Sequence, residues 1–307
     1  MPMSQVIGID LGGTNLKLGR FTTAGECLKS LIVPTPQPQY PKPVLTAVAD
    51  AIATLDPDHQ AAYIGIGTPG PTDINARIAR IAINLPDWLD IPVAEILETK
   101  TQRMVVVAND ANCAGLGEAW LGAGRNYQNM ILLTLGTGVG GCVIFNSQLF
   151  VGHDGCAGEL GLVVLNPAGY ECHSGNTGSL EQHVSAQAIR REMNKEPGEL
   201  AELAAAGDQT ALSFWRRYGC LLGIGLVSSI YVLNPEAVII GGGISAAAPY
   251  FLPDTQAEIN RRIRPRYRRT LTLRTATLGN RAGMIGAAKL AIDHINQAPK
   301  NKSSKIT

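Results

Sequence analysis

The sequence predicts an α/β protein in two lobes, each lobe a mixed sheet flanked by helices. The chain has 307 residues, and chains of this length usually divide into about two domains, because a single core stops growing near that size. Strand patterns alternate with helical patterns over residues 6–121, as expected of a sheet covered by helices. From residue 130 the order of strand, glycine turn and strand occurs again. This repetition suggests an internal duplication.

In the first half, the spacing of apolar residues and the turn residues that flank them predict each element. An apolar run predicts a buried strand at residues 6–10, and a second strand follows its glycine turn at hairpin distance. Apolar residues at helical spacing predict a helix over residues 44–55. The other predicted elements of this half are strands at 16–21, 31–33, 63–67 and 104–108 and a helix at 111–121.

The second half shows the same signals in a similar order. A strand at residues 130–135 enters the glycine-rich turn 136–141, and a further strand follows that turn. Another apolar run predicts a strand at 237–240 that ends at three consecutive glycines. The remaining predicted elements are a strand at 142–145 and helices at 181–195, 208–233 and 282–295.

Composition limits the classes of partner and compartment. Lysine and arginine total 26 against 25 acidic residues, a net charge of +1. Nucleic acid and membrane partners are not expected, because such surfaces need a clustered basic excess. No apolar run approaches the roughly 20 residues that span a bilayer, and no basic signal-peptide segment precedes the first apolar run. Six scattered cysteines favour reduced thiols, so we expect a cytoplasmic protein.

Three glycine-rich turns follow predicted strands and are candidate phosphate-binding elements. They contain Gly12, Gly13 and Thr14; Gly136, Thr137 and Gly138; and Gly242 with Gly243. Backbone N–H groups that converge in such turns bind phosphate well, whereas a single glycine turn is more often a plain hairpin. The chain has neither the P-loop pattern nor the dinucleotide-binding glycine pattern in its first turn. Three turns, two of which carry threonine, favour phosphate binding.

Polar residues at two strand ends are candidates for chemistry. Asp10 ends the first strand, where it either stabilises the turn or contributes to a Mg²⁺ site, since Mg²⁺ prefers carboxylates and water. Lys17 is either a solvated strand residue or neutralises phosphate. Asn109 and Asp110 follow the strand at 104–108 and either cap the next helix or line a crevice. The residues alone leave both readings open.

Taken together, the motifs resemble those of the ROK family of sugar kinases, and they occur in family order along nearly the whole chain. Residues 10–17 and 135–141 are similar to the two phosphate motifs, and residues 107–112 resemble the catalytic segment. Further similar motifs are the Pro-Gly-Pro loop at 67–71, the Asn-Leu loop with its Trp at 84–88, the sugar-binding segment at 157–161 and the adenosine loop at 240–244.

The resemblance implies a two-lobed actin-like ATPase (ribonuclease H-like) fold with the active site in the cleft between the lobes. It implies ATP-dependent phosphorylation of a hexose, with glucose at O6 as the leading expectation and Asp110 as the general base. Asp10 would hold Mg²⁺ through water, and Lys17 together with the residues of the three glycine turns would contact ATP. The residues expected to bind the sugar are Asn84, Asn109, Asp110, Glu159 and Glu181.

The same resemblance implies how the lobes are divided. The smaller lobe would comprise residues 1–118 and 291–307 and provide the sugar side and the first phosphate turn. The larger lobe, residues 119–290, would provide the second phosphate turn, the adenosine loop and the carboxylates Glu159 and Glu181. Family members often form homodimers, so a homodimer is expected.

One family feature is missing from the sequence. Many members carry a structural zinc site with a His after the sugar-binding segment and three cysteines, but here the His position is Leu162 and only Cys172 remains. Structural zinc needs four ligands, usually Cys or His, so we expect no structural zinc. A replacement site that uses His153 and His173 is the alternative. Because Leu162 cannot hydrogen-bond to a sugar, the identity of the hexose stays open.

Several other functions compete with a glucokinase. Fructose, mannose, allose or N-acetylmannosamine could be the substrate, and polyphosphate could be the phosphoryl donor. A sugar-responsive repressor would need a helix-turn-helix module; since the first strand is predicted to start at residue 6, a repressor is not expected. A sugar sensor without activity would need neither Asp10 nor Asp110, and both are present.

Overall fold

The computed structural model describes residues 5–82, 85–172 and 174–297, and this part of the chain contains twelve strands, ten α-helices and three short 3₁₀ helices. The strands are β1 (Gln5–Leu11), β2 (Asn15–Thr22), β3 (Cys27–Pro34), β4 (Ala61–Thr68), β5 (Ala79–Ile81), β6 (Leu89–Ile91), β7 (Met104–Asn109), β8 (Met130–Leu135), β9 (Val139–Phe145), β10 (Gln148–Leu149), β11 (Ala237–Gly241) and β12 (Thr272–Thr275). The helices are α1 (Pro41–Leu55), α2 (Val93–Thr101), α3 (Asp110–Leu121), α4 (Glu181–Val184), α5 (Ala186–Met193), α6 (Pro197–Ala205), α7 (Gln209–Leu233), α8 (Ala248–Arg262), α9 (Pro265–Arg268) and α10 (Ala282–Gln297).

The first sheet has the strand order β3-β2-β1-β4-β7. The β1–β2 and β2–β3 pairs are antiparallel, whereas β1, β4 and β7 run parallel to one another. Two strand glycines, Gly8 and Gly65, let helix α10 lie directly on this sheet. A Cβ at either position would come within 2.1 Å of the backbone oxygen of Met284 or Ala287, so a side chain there would push the helix away.

The second sheet repeats this arrangement with the order β10-β9-β8-β11-β12. Its first three strands are antiparallel neighbours, and β8, β11 and β12 are parallel. Helices α7 and α8 contribute the aromatic residues Trp215, Tyr218 and Phe251 to its core, with ring centroids 5.1–5.8 Å apart. The shared order and strand directions are the repetition that the sequence predicts.

The chain divides into two compact units. The first comprises Met1–Gly117 and Gly283–Thr307, and the second comprises Glu118–Ala282. Both passages between the units lie inside helices, one in α3 and one at the start of α10. The chain rejoins the first unit at Gly283 rather than at residue 291, because α10 already packs on β1 through Met284. The functions expected for the two lobes stay predictions.

The predicted strands and helices are present, with one interruption. The helix expected over 181–195 is divided at Ser185, which has an extended backbone and whose hydroxyl accepts a hydrogen bond from the N–H of Ala188. A serine in this conformation ends α4 and caps α5. The sequence signals did not predict the short hairpin of β5 and β6, the helices α2, α6, α8 and α9, or the strands β10 and β12 at the edges of the second sheet.

An arginine cluster that begins in the last turn of α8 contradicts the expectation that basic charge is not locally concentrated. Seven arginines lie within residues 261–274. Two of them, Arg261 and Arg262, pair with Glu258, and the other five are exposed. The net charge of the whole chain conceals this local excess, so the absence of a nucleic acid or membrane partner stays a prediction.

Two further observations concern compartment. Within the described residues, no helix combines the length and the hydropathy that crossing a bilayer requires. All six cysteines lie in the described part of the chain, and none forms a disulfide.

Candidate active site

Asn109 and Asp110 occupy the junction at which β7 ends and α3 begins. The side-chain oxygen of Asn109 accepts hydrogen bonds from the N–H groups of Ala111 (2.9 Å) and Asn112 (3.2 Å), and its amide nitrogen donates to the carbonyl of Gly70 (3.1 Å). These are the contacts of a helix cap. The capping role that the sequence left open is therefore taken by Asn109, which keeps one amide hydrogen for another partner.

Asp110 is the carboxylate beside this cap. Its Oδ1 accepts a hydrogen bond from the N–H of Ala111 at 2.7 Å. Within the described residues, no lysine, arginine or histidine forms an ion pair with it. Asp110 is exposed by its accessible surface, although many protein atoms surround its carboxyl group at short range. This desolvation raises the pKa of Asp110 from its usual 3.8 to about 6; the Ala111 hydrogen bond opposes the shift and the negative charge of Asp10 adds to it.

Asp10 is the penultimate residue of β1, and a lysine neutralises its charge. Its Oδ2 accepts a hydrogen bond from the ammonium group of Lys17 at 3.0 Å, because the antiparallel register places these two residues opposite each other. A Cβ at Gly283 would lie only 2.9 Å from the Asp10 carboxyl carbon. The first turn of α10 therefore lies against Asp10, where the partial positive charge of a helix N-terminus favours a carboxylate.

Hydrogen bonds from neighbouring residues fix the carbonyl groups of the first glycine turn. The hydroxyl of Thr35 donates to the carbonyl of Gly12 at 2.7 Å, and the N–H of Thr35 donates to the carbonyl of Thr14 at 2.9 Å. The side-chain amide of Gln39 contacts the carbonyl of Gly13. Gly13 and Thr14 remain exposed, so this turn can approach a ligand with its backbone.

The second glycine turn is fixed by a carboxylate. Glu181 accepts a hydrogen bond from the N–H of Val139 at 2.8 Å, and a Cβ at Gly138 would lie 2.4 Å from the same carboxylate oxygen. The carbonyl of Gly136 accepts a hydrogen bond from Ala186 at 2.8 Å, while Thr137 is exposed. Glu181 thus has a structural contact in addition to its predicted contact with a sugar.

The segment in which the resemblance would place zinc ligands is held by direct contacts. The amide of Asn176 donates to the carbonyl of Leu162 at 2.8 Å, and the Cys172 sulfur lies 3.7 Å from Glu181 Oε1. Within residues 5–82, 85–172 and 174–297, no three His, Cys, Asp or Glu side chains cluster as metal ligands. His173 and Asn84 lie outside the described residues, so the absence of zinc stays a prediction.

A cavity of about 830 Å³ lies within the second unit. Its walls combine the glycine segment after β11, one side of α8 and the end of β12 with the residues that follow it. Gly242 has a left-handed backbone (φ +83°), and a Cβ there would lie 2.3 Å from the carbonyl oxygen of Leu135. A Cβ at Gly243, by contrast, would have no neighbouring atom within 4 Å. A concave, mainly apolar site with a few polar groups is the usual form of a small-molecule pocket.

The predicted site residues collect at one end of each sheet. In the first unit, Asp10, the first glycine turn, Asn109 and Asp110 all lie at the carboxyl ends of β1 and β7. In the second unit, the second glycine turn and the glycines at 242–243 lie at the carboxyl ends of β8 and β11. Glu159 is exposed at the start of a short 3₁₀ turn. Ligand crevices form at such strand ends in open α/β sheets.

Comparison with known proteins agrees with this arrangement. The profile of the ROK family matches residues 6–294. The chain belongs to the ROK family. It is 35% identical to a glucokinase of Thermotoga maritima over 96% of this chain and 99% of that protein. The family prediction and the actin-like ATPase fold are therefore confirmed.

Solved structures of ROK proteins have the same fold. A ROK hexokinase from Thermus thermophilus superposes with a TM-score of 0.84 at 32% identity, and covers 96% of this chain and 100% of its own. A ROK glucokinase from Streptomyces griseus, solved in complex with glucose and AMPPNP, has a TM-score of 0.81 at 30% identity, with 94% and 100% coverage.

Proposed function

We propose that this ROK protein transfers the γ-phosphoryl group of ATP to a hexose, with glucose at O6 as the substrate and Asp110 as the general base. Its glucokinase relatives support the coarser statement that it is a sugar kinase. The observation that carries the role of Asp110 is its carboxylate, which has a raised pKa and no cationic partner in the described part of the chain. Phosphoryl transfer depends on positioning and charge neutralisation, with one base to accept the hydroxyl proton.

The geometry of Asp110 suits proton abstraction. Oδ1 is fixed by the helix N–H of Ala111, which orients the carboxyl group so that Oδ2 can accept the proton of a sugar hydroxyl. A pKa of about 6 leaves this group ionised at neutral pH while making it a stronger base than an ordinary aspartate. The sugar O6 then attacks the γ-phosphorus as its proton passes to Asp110, and ADP leaves.

Sugar binding is proposed to use amide and carboxylate side chains from both units. Asn109 offers its remaining amide hydrogen, and Glu159 and Glu181 offer acceptor oxygens to sugar hydroxyls. Asn84 is included as a sugar-binding residue on the basis of the family resemblance alone. Such groups discriminate among hexoses because a wrong sugar leaves buried polar groups without partners.

Phosphate binding is proposed to use both glycine turns. The first presents Gly12, Gly13 and Thr14, with Lys17 as the nearby cation, and the second presents Gly136, Thr137 and Gly138. Mg²⁺ commonly binds through one or two carboxylates together with phosphate oxygens and water, and the single carboxylate of Asp10 fits that donor set. When bound, the metal would neutralise phosphate charge, with Asp10 holding it through water.

The cavity in the second unit is proposed to hold the adenosine of ATP. Gly242 and Gly243 line it together with Ser245, whose hydroxyl donates to the carbonyl of Gly242 at 2.7 Å. The mainly apolar lining suits an adenine ring. Polyphosphate would not need such a pocket, so the cavity favours ATP as the donor.

A matched pair of glycine variants tests this assignment. Gly242→Ala is expected to raise the KM for ATP at least about tenfold, because the new Cβ would meet the Leu135 backbone in a left-handed conformation that costs about 1–3 kcal/mol. Gly243→Ala adds the same methyl group where no atom lies within 4 Å, so its KM for ATP is expected to change less than about threefold. Steady-state kinetics at saturating hexose measure both, and equal effects would contradict the assignment.

A coupled ADP-release assay tests the function itself. The panel contains glucose, mannose, fructose, allose and N-acetylmannosamine, with ATP and polyphosphate as alternative donors, polyphosphate turnover being followed through the sugar phosphate. We expect the highest kcat/KM with glucose and ATP. A preference for another hexose would revise the substrate and leave the kinase in place, whereas ATP turnover with none of them would refute the kinase.

We propose a cytoplasmic homodimer: the cytoplasmic location rests on the cysteine pattern of the sequence, and the dimer rests on the family resemblance. Light scattering of the purified protein tests the dimer directly, with a monomer mass as the contrary result.

A further inference from the structure

A second carboxylate of helix α3 is fully buried and has no part in the mechanism above. The side chain of Glu118 is 0% exposed. Its oxygens accept hydrogen bonds from the N–H groups of Thr277 (3.0 and 3.1 Å), Leu278 (2.8 Å) and Ala123 (2.7 Å). Within the described residues, no cation forms an ion pair with it. Its charge is therefore balanced by backbone dipoles.

The backbone turn at 122–124 wraps closely around this carboxylate. A Cβ at Gly122 would lie 2.0 Å from Glu118 Oε2, so only glycine leaves room for the oxygen. The N–H groups of Gly122 and Gly124 also donate to the backbone carbonyl of Glu118, at 3.1 and 2.9 Å. These contacts hold the carboxylate in one place.

The segment that Glu118 holds leads directly into the wall of the cavity. Thr277 and Leu278 are followed by Gly279 and Asn280, both of which line the cavity, and Ala276 lines it immediately before them. The N–H of Ala276 donates to the carbonyl of β11 at Ile240, 2.9 Å away. Beyond that bond, the side chain of Glu118 supplies the hydrogen bonds that fix the next two residues. All of these residues belong to the second unit.

We propose that Glu118 is a positioning residue for the nucleotide: its buried carboxylate fixes Thr277 and Leu278, and thereby the cavity wall formed by Gly279 and Asn280. This inference rests on the proposed function, because the cavity is taken to be the nucleotide site. A charged carboxylate suits the task because it presents only acceptors to the three N–H groups that point at it.

Glu118→Gln tests the inference with little change in shape. The amide replaces one acceptor oxygen by an NH₂ group, which would face an N–H donor. We expect binding of a non-hydrolysable ATP analogue, measured by calorimetry, to weaken at least about tenfold, and the KM for ATP to rise by a similar factor. The kcat at saturating ATP and the KM for the hexose should stay within about threefold, a split that general destabilisation would not produce.

Glu236→Gln is the matched control in the same unit. Its carboxylate also accepts two backbone hydrogen bonds, from Gln128 (2.9 Å) and Asn129 (2.8 Å), but it precedes β11, whereas the cavity glycines follow that strand. Binding of the analogue should be unchanged in this variant. Equal weakening in both variants, or weakening in neither, would overturn the inference.

Two further results are informative. If Glu118→Gln does not yield folded protein, Glu118→Asp keeps the charge but shortens the reach, and the same loss of analogue binding is expected. A wild-type protein that binds the analogue but phosphorylates no hexose would refute the proposed function alone, whereas one that does not bind the analogue would also overturn the role of Glu118.

Discussion

Replacing Asp110 by asparagine is expected to lower kcat for hexose phosphorylation by about a thousandfold, within the range of 10²–10⁴ typical of a positioned general base. The asparagine oxygen can still accept the hydrogen bond that Ala111 donates to Oδ1, at 2.7 Å in the wild type. The start of α3 should therefore be preserved while the proton acceptor is lost. The KM for the hexose should change much less than kcat, and steady-state kinetics with glucose and ATP measure both.

Thermal unfolding supplies the control for this variant. Folding raises the pKa of Asp110 from 3.8 to about 6, so the wild type loses stability as the pH rises through that interval and the carboxyl group ionises. Asp110→Asn does not ionise and is expected to unfold at a higher temperature than wild type at pH 8. The difference should disappear near pH 4. A variant that keeps kcat within threefold of wild type would show that Asp110 is not the base.

The sequence predicts the first sheet and the three central strands of the second sheet because the signals of these strands are local. Each phosphate turn follows an apolar run that ends in glycine, so strand, turn and site can be recognised within about ten residues of one another. The pair Asn109 and Asp110 shows the limit of such signals. The sequence leaves open whether the pair caps the next helix or lines a crevice. The structure assigns the cap to Asn109 and leaves the Asp110 carboxylate without a cationic partner among the described residues.

The features that the sequence did not reveal depend on contacts between distant residues. Glu118 lies 160 residues from Leu278, and no local pattern distinguishes it from an ordinary helix glutamate. The contact between Gly283 and Asp10 likewise requires the return of α10 to the first sheet. Pairings of this kind are set by tertiary packing and not by the periodic pattern of apolar residues along the sequence.

Asp10→Asn is expected to lower kcat by at least about a hundredfold, since phosphoryl transfer depends on charge neutralisation at the phosphates. The same substitution should change the titration of a second residue. The negative charge of Asp10 contributes to the raised pKa of Asp110, although desolvation contributes more. Removing that charge should therefore lower the pKa of Asp110 part of the way from about 6 towards 3.8.

Two measurements separate these effects. In the wild type, kcat/KM for the hexose should fall about tenfold per pH unit below pH 6, where Asp110 becomes protonated. In Asp10→Asn this fall in kcat/KM should begin at a lower pH. The titration of the Asp110 carboxyl group, followed by NMR without nucleotide, should move in the same direction. Lys17→Gln removes the cation that lies 3.0 Å from Asp10 and should shift the titration in the opposite direction, because Asp10 is then less neutralised. If both variants move the pH at which kcat/KM begins to fall in the same direction, or if neither moves it, Asp10 and Asp110 are not electrostatically coupled.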